Sequence, residues 1–129
     1  MWRRTTLSVA GDKRADVTNV VQRYFDTNRR FGISEWAEPG RLIAVSTRGN
    51  HWTGEQGIEV RVSEGADPSS TQLQVMSVVG AMYDWGKNRR NIEDLLSYLS
   101  IAGIEFETRT TDRKFEFGGP LEYEFRDPI

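Results

Sequence analysis

Apolar positions along this chain switch between two spacings, and the switch points outline its elements. Over residues 2–10, Leu7 and Val9 share a side with Arg3 and Thr5, while Trp2, Arg4, Thr6, Ser8 and Ala10 take the other. That alternation predicts a half-buried strand with Leu7 and Val9 inward. After Gly11-Asp12 the spacing becomes helical: Val17, Val20, Val21 and Tyr24 form one stripe, with Phe25 at its flank. Asp12 or Asp16 is the expected cap and Asn28 the expected stop. Neighbouring β-branched residues weaken local helix propensity, so this stripe must be stabilised by packing on a sheet.

Residues 30–38 and 41–48 read as two strands joined at Pro39-Gly40, a pair that suits a type II turn. In the first, Phe31, Ile33 and Glu35 oppose Gly32, Ser34 and Trp36. The second, Leu42-Ile43-Ala44-Val45, is apolar on both faces and is expected to be the more central. Residues 57–63 alternate most cleanly, with Ile58, Val60 and Val62 inward and Glu59, Arg61 and Ser63 outward. Residues 71–79 alternate again, and short links between four consecutive strands predict an antiparallel meander.

The second helix is expected from about Trp85 to Leu99, because Ile92, Leu95, Leu96 and Leu99 repeat at core-facing spacing. Asp84 is its expected cap, or Asn91 with Asp94 for a shorter version; Gly103 follows its end. Residues 104–110, 113–117 and 121–126 read as further strands, with a hairpin turn at Thr111-Asp112. The expected fold class is α+β: a curved antiparallel sheet covered on one face by two helices, in the order β-α-β-β-β-β-α followed by two or three C-terminal strands. Residues 1–129 are read as one domain, with 104–126 as a C-terminal strand addition. The far face of the sheet, expected to carry Trp36, Ile43, Val45, Met76 and Val78, is more apolar than water favours. The C-terminal strands, a partner subunit or a ligand cavity would have to account for it.

Composition narrows the chemistry. The chain has no cysteine and a single histidine, His51, which excludes disulfides, thiolate metal sites and cysteine nucleophiles. No metal and no cofactor is expected. The absence of cysteine fits a cytoplasmic location, and no apolar run approaches the length of a transmembrane segment. Met1-Trp2-Arg3-Arg4 starts like a charged leader, but the following residues are too polar for a secretory core. Residues 1–50 carry nine basic and five acidic side chains, and residues 51–129 carry eight and fourteen. The excess of bases in residues 1–50 leaves room for a basic face, but the net charge of -2 weighs against nucleic acid as a partner.

The richest polar stretch is the strand-to-helix corner at 80–90. A helix start offers free N–H groups and the positive end of a dipole, so Asp84, Lys87, Asn88, Arg89 and Arg90 are the ligand or anion-binding candidates. The competing reading is a purely structural corner, since the spacing matches neither a P-loop nor a dinucleotide fingerprint. Phe31, Trp36, Trp52 and Met76 are candidates for a pocket mouth or an interface. His51, with Glu55 nearby, reads as an ordinary loop histidine. Glu105, Glu107, Glu122 and Glu124 read as the wet face of two strands.

Asp84-Trp85-Gly86-Lys87-Asn88-Arg89-Arg90-Asn91-Ile92 resembles the motif of an uncharacterised family of small bacterial domains. Those domains carry Asp-x-Gly-x-Asn followed by x-x-Arg-Ile entering a C-terminal helix, after a strand ending in Ser-Arg-x-Gly. Asp84, Gly86, Asn88 and Ile92 match, as do Ser77 and Gly80. Val78 and Asn91 stand where the family has arginines, and one extra residue separates Gly80 from Asp84. The resemblance spans residues 55–100 and implies a bacterial origin but no activity. The order of elements also resembles helix-grip and TATA-binding-protein-like domains, and topology names no function.

The sequence therefore reads as a binding domain and not a catalyst. Its expected ligand is small, apolar or anionic; its expected partner is a second copy, giving a homodimer, or another protein at the sheet face. The alternative is an enzyme or anion-binding protein centred on Asp84, Lys87 and Arg90.

Overall fold

The computed structural model describes residues 2–46, 56–79 and 86–114. Within them, β1 (Trp2–Ala10) leads to α1 (Arg14–Thr27), then β2 (Ile33–Glu38), β3 (Arg41–Val45), β4 (Gln56–Glu64) and β5 (Ser70–Val79). Helix α2 (Lys87–Ile101) and strand β6 (Glu107–Lys114) follow. The strands form one antiparallel sheet in the order β2-β3-β4-β5-β1-β6. Both helices pack on one of its faces, so the α+β class and the helical layer agree with the pattern of the sequence.

The expected curvature is corrected: the sheet is open and not strongly curled, with β2 and β6 at opposite edges. Bulges are the usual device for bending a sheet. Here the register shifts fall only in the outer pairs, at Thr6/Leu7 against β6 and at Trp36/Glu38 against β3. The central pairings β3–β4, β4–β5 and β5–β1 run without interruption. Both faces also carry buried side chains, so neither face draws the sheet around itself.

The core lies between the helices and the sheet. Val17, Val20, Val21, Tyr24 and Phe25 of α1 and Ile92, Leu95 and Leu99 of α2 bury against Leu7, Leu42, Ile58, Val60, Leu73 and Val75. The approach to α1 is fixed differently from expectation. Neither Asp12 nor Asp16 caps it; Lys13 occupies the N-cap position without a side-chain hydrogen bond. Instead the buried Thr71 reaches across from β5, its hydroxyl accepting from Lys13 N–H at 2.8 Å and donating to the Gly11 carbonyl at 3.0 Å. Asp12 is drawn to the Arg14 guanidinium, which holds its carboxyl below the usual range.

Helix α2 starts at Lys87, because Gly86 before it has φ +74 and cannot continue a right-handed helix upstream. Its other end is a Schellman motif around Gly103, with Ile104 N–H on the Leu99 carbonyl and Gly103 N–H on that of Ser100. The expected hairpin at Thr111-Asp112 is overturned. Both residues lie inside β6, paired with Thr5 and Arg4 of β1. A polar Thr-Asp pair is a turn signal only where no neighbouring strand claims its backbone, and β1 does. The expected strand at 121–126 lies outside the described residues.

The far face carries a second buried cluster of Trp2, Ile43, Val45, Met76 and Val78, each no more than 6% exposed. Trp36, expected there, is on the helix face. Ile33 pairs with Val45 and Ser34 with Ala44, so strand parity sends Trp36 to the side of Leu42. There its indole N–H donates to the Gln22 side chain of α1. Glu59, expected in water, is 2% exposed between Ile43 and Met76 on the neighbouring strands. Arginines on β3 and β4 make this burial tolerable. Arg41 Nε and Arg61 Nε each donate at 2.8 Å, to opposite carboxylate oxygens. Arg41 Nη2 is equally close but too poorly aligned for a second hydrogen bond.

Candidate functional site

A cleft of about 360 Å³ opens where the α1–β2 link, the ends of β3 and β4 and the start of α2 meet. Arg29, Arg30, Phe31, Ser46, Gln56 and Lys87 line it. Each is placed by a local cause. Asn28 leaves the helix in an extended conformation, and its side-chain oxygen accepts Arg30 N–H at 3.1 Å. This is the short-range bond that favours asparagine at such turns. Phe31 is tucked inward against Phe25, edge to face at 5.5 Å, so its neighbours Arg29 and Arg30 stay at the surface. Ser46 and Gln56 are brought together by a backbone hydrogen bond of 2.8 Å from Ser46 N–H. Lys87 is the first residue of α2, whose first turn contains no acidic side chain. The first N–H groups of any helix lack intrahelical acceptors, so the positive end of its dipole adds to the three cations.

Behind the lining runs a chain of polar side chains. Arg30 Nη1 donates to Asn91 Oδ1 at 3.2 Å. Asn91 Nδ2 donates to Gln56 Oε1 and to Ser77 Oγ, both at 3.1 Å. Ser77 Oγ in turn donates to Asn88 Oδ1 at 2.9 Å. Ser77, Asn88 and Asn91 are all buried, and most buried polar groups are hydrogen-bonded; here the Asn88 Nδ2 group is the exception among the three, with no partner among the described residues. On the outer side, Arg30 Nη2 reaches Asp94 Oδ2 at 3.2 Å and the Tyr24 hydroxyl at 3.3 Å. Tyr24 donates to the same Asp94 oxygen at 2.6 Å. Burial, followed by the neighbouring Asp94 carboxylate, pushes the Tyr24 phenol up to about 12. It is thus a neutral donor at physiological pH.

The residues singled out from sequence scatter. Lys87 and Phe31 line the cleft. Asn88 is buried behind it, and Arg89 turns away to pair with Glu93 at 2.8 Å. Arg90 is exposed on α2 and Met76 lies on the opposite face of the sheet. Trp36 packs beside α1 and does not line the cleft. Asp84, His51 and Trp52 lie outside the described residues. Asn91 does not cap a shorter helix; it faces the sheet from the interior of α2. Sequence reasoning passed over Ser46, Gln56 and the bonding role of Asn91. One signal was present: Asn88 and Asn91 precede Leu95 and Leu99 on the same core-facing stripe, and two amides among leucines require partners there.

A larger cleft of about 790 Å³ lies beside the C-terminal half of β1, where Asp67, Glu105, Glu107 and Arg109 are its charged lining. Its Asp67 is already engaged by Ser69 N–H, and Glu107 by Arg109. No buried polar chain backs it among the described residues. Among those residues, too, no group of three or more His, Asp or Glu side chains is placed to hold a metal ion. No helix of the described residues is long and apolar enough to cross a membrane. No protein-family model matches the chain, and no curated protein matches it significantly.

Proposed function

We propose that this chain is a binding domain that takes a small anionic ligand in the cleft between Arg29, Gln56 and Lys87. The observation that carries the reading is the charge of the described lining, which holds Arg29, Arg30 and Lys87 and no carboxylate or imidazole, Arg30 alone being paired from behind by Asp94. Among the described residues, no carboxylate pairs with Arg29 or Lys87, which leaves their charge to an entering anion. The volume is at the lower end of the range for small-molecule sites, suited to a compact ligand. Nothing in the described lining supplies a general base, which favours binding over catalysis. The far sheet face supports a protein-partner reading less well, because its apolar residues are buried and present little surface.

Titration of the ¹⁵N-labelled protein with sulfate tests this. Shifts centred on Gln56, Lys87 and Asn88 are expected, and the double variant Arg29→Gln/Lys87→Gln is expected to bind roughly tenfold more weakly, since it removes two charge-assisted contacts. Shifts spread evenly over the surface, or unchanged affinity in the double variant, would overturn the proposal.

A further inference from the structure

We infer that Asn91 is a positioning residue that turns the donor end of Gln56 into the cleft, so that the described lining favours anions whose facing atoms are all hydrogen-bond acceptors. This rests on the anion-binding reading and adds a rule of selectivity to it.

The argument is one of hydrogen-bond polarity. An arginine has donors and no acceptor. Arg30 Nη1 lies 3.2 Å from the Asn91 side chain, so the Asn91 atom it meets must be the oxygen. That orientation obliges Asn91 Nδ2 to face Gln56 and Ser77. Gln56 must then offer its oxygen to Asn91, which leaves its Nε2 group, with two N–H donors, directed away from the network. The usual ambiguity of amide orientation is thereby removed by a chain of bonds that starts at a residue with no choice. Asn91 is 1% exposed, so water does not compete for its bonds. The described lining accordingly presents donors at Gln56 Nε2, the Lys87 ammonium and the Arg29 guanidinium.

An entering group that carries its own O–H would set donor against donor. A sulfonate, sulfate or fully ionised phosphate has no such proton. Selectivity here follows from hydrogen-bond direction and not only from charge.

Two probes of the same shape and charge separate these effects: methanesulfonate, and methylphosphonate at mildly acidic pH, where it holds one proton. Both are monoanions, and only the second has a donor. The wild-type protein is expected to favour methanesulfonate by roughly tenfold, the order of one unmade buried hydrogen bond. Asn91→Leu frees Gln56 to turn its oxygen outward, and the preference is expected to fall to near parity. Where circular dichroism shows that this variant is unfolded, Gln56→Met serves instead, because it removes the donor at a half-buried position; the preference should again collapse. Equal binding of both probes by wild type, or full preference retained in a folded variant, would overturn the inference and leave anion binding intact. Failure of wild type to bind either probe or sulfate would overturn the proposed function itself.

Discussion

Replacing Glu59 with glutamine keeps the shape of a central far-face side chain and removes its charge. The cost can be worked from the three side chains involved. Glu59 is 2% exposed, Arg41 13% and Arg61 40%. Removing one member of a buried ion pair costs about 3–5 kcal/mol, because the remaining charge is left desolvated without its partner. Arg41 is near that limit, whereas Arg61 has access to water and its share resembles that of a surface pair, about 0–1 kcal/mol. Glu59→Gln should therefore destabilise the fold by about 3 kcal/mol, nearly all of it through Arg41. At a urea slope of about 2 kcal/mol per molar, the midpoint of unfolding followed by circular dichroism would fall by about 1.5 M. Arg61→Ala should cost about 1 kcal/mol or less. Replacing Arg41, Glu59 and Arg61 together by apolar side chains of similar volume should recover most of the loss, since no charge is then buried. A loss below about 1 kcal/mol for Glu59→Gln, or a triple variant no better than the single one, would refute the claim that desolvated charge governs this face.

Two further tests address the helix pair and the β2–β3 turn. The Tyr24 phenol is raised from its ordinary 10 to about 12, so the folded state keeps a proton that the unfolded chain releases. Its contribution is complete below pH 10 and is lost as pH rises through about 12. The slope is at most about 1.4 kcal/mol per pH unit, reduced by solvent around the half-exposed Arg30–Asp94 pair. Thermal unfolding of wild type should therefore fall off between these limits more steeply than that of Tyr24→Phe; parallel curves would contradict the assigned shift. At Gly40, φ is +83 and an added Cβ would lie 2.6 Å from the Val62 carbonyl oxygen. That carbonyl neighbours the 2.7 Å bond from Val62 N–H to Gly40 O, which seats the turn on β4. Gly40→Ala should cost about 2 kcal/mol or more, above the penalty of the left-handed conformation alone. A loss under about 1 kcal/mol in urea unfolding would show that the turn relaxes freely.

Elements that rest on short-range pattern follow from the order of residues alone. The stripe Val17–Val20–Val21–Tyr24–Phe25 of α1 is buried as its spacing requires, and Ile58, Val60 and Val62 of β4 face the helices. Pro39-Gly40 makes its turn and Gly103 ends α2, because these depend on the dihedral freedom of one residue. What periodicity does not carry is which strand lies beside which, and with what register. Trp36 goes to the helix face because Ile33 pairs with Val45, and Thr111-Asp112 stays extended because β1 claims its backbone. Glu59 is buried because Arg41, eighteen positions away in sequence, arrives at its carboxylate. The cleft obeys the same division. The positive start of α2 and the presence of Lys87 were legible locally, since a helix terminus is made by consecutive residues. Its union with Arg29, Arg30 and Gln56, through an asparagine 61 positions from Arg30, required the sheet and both helices in place. Local spacing fixes how a segment can fold; only tertiary packing decides which distant polar groups must satisfy one another.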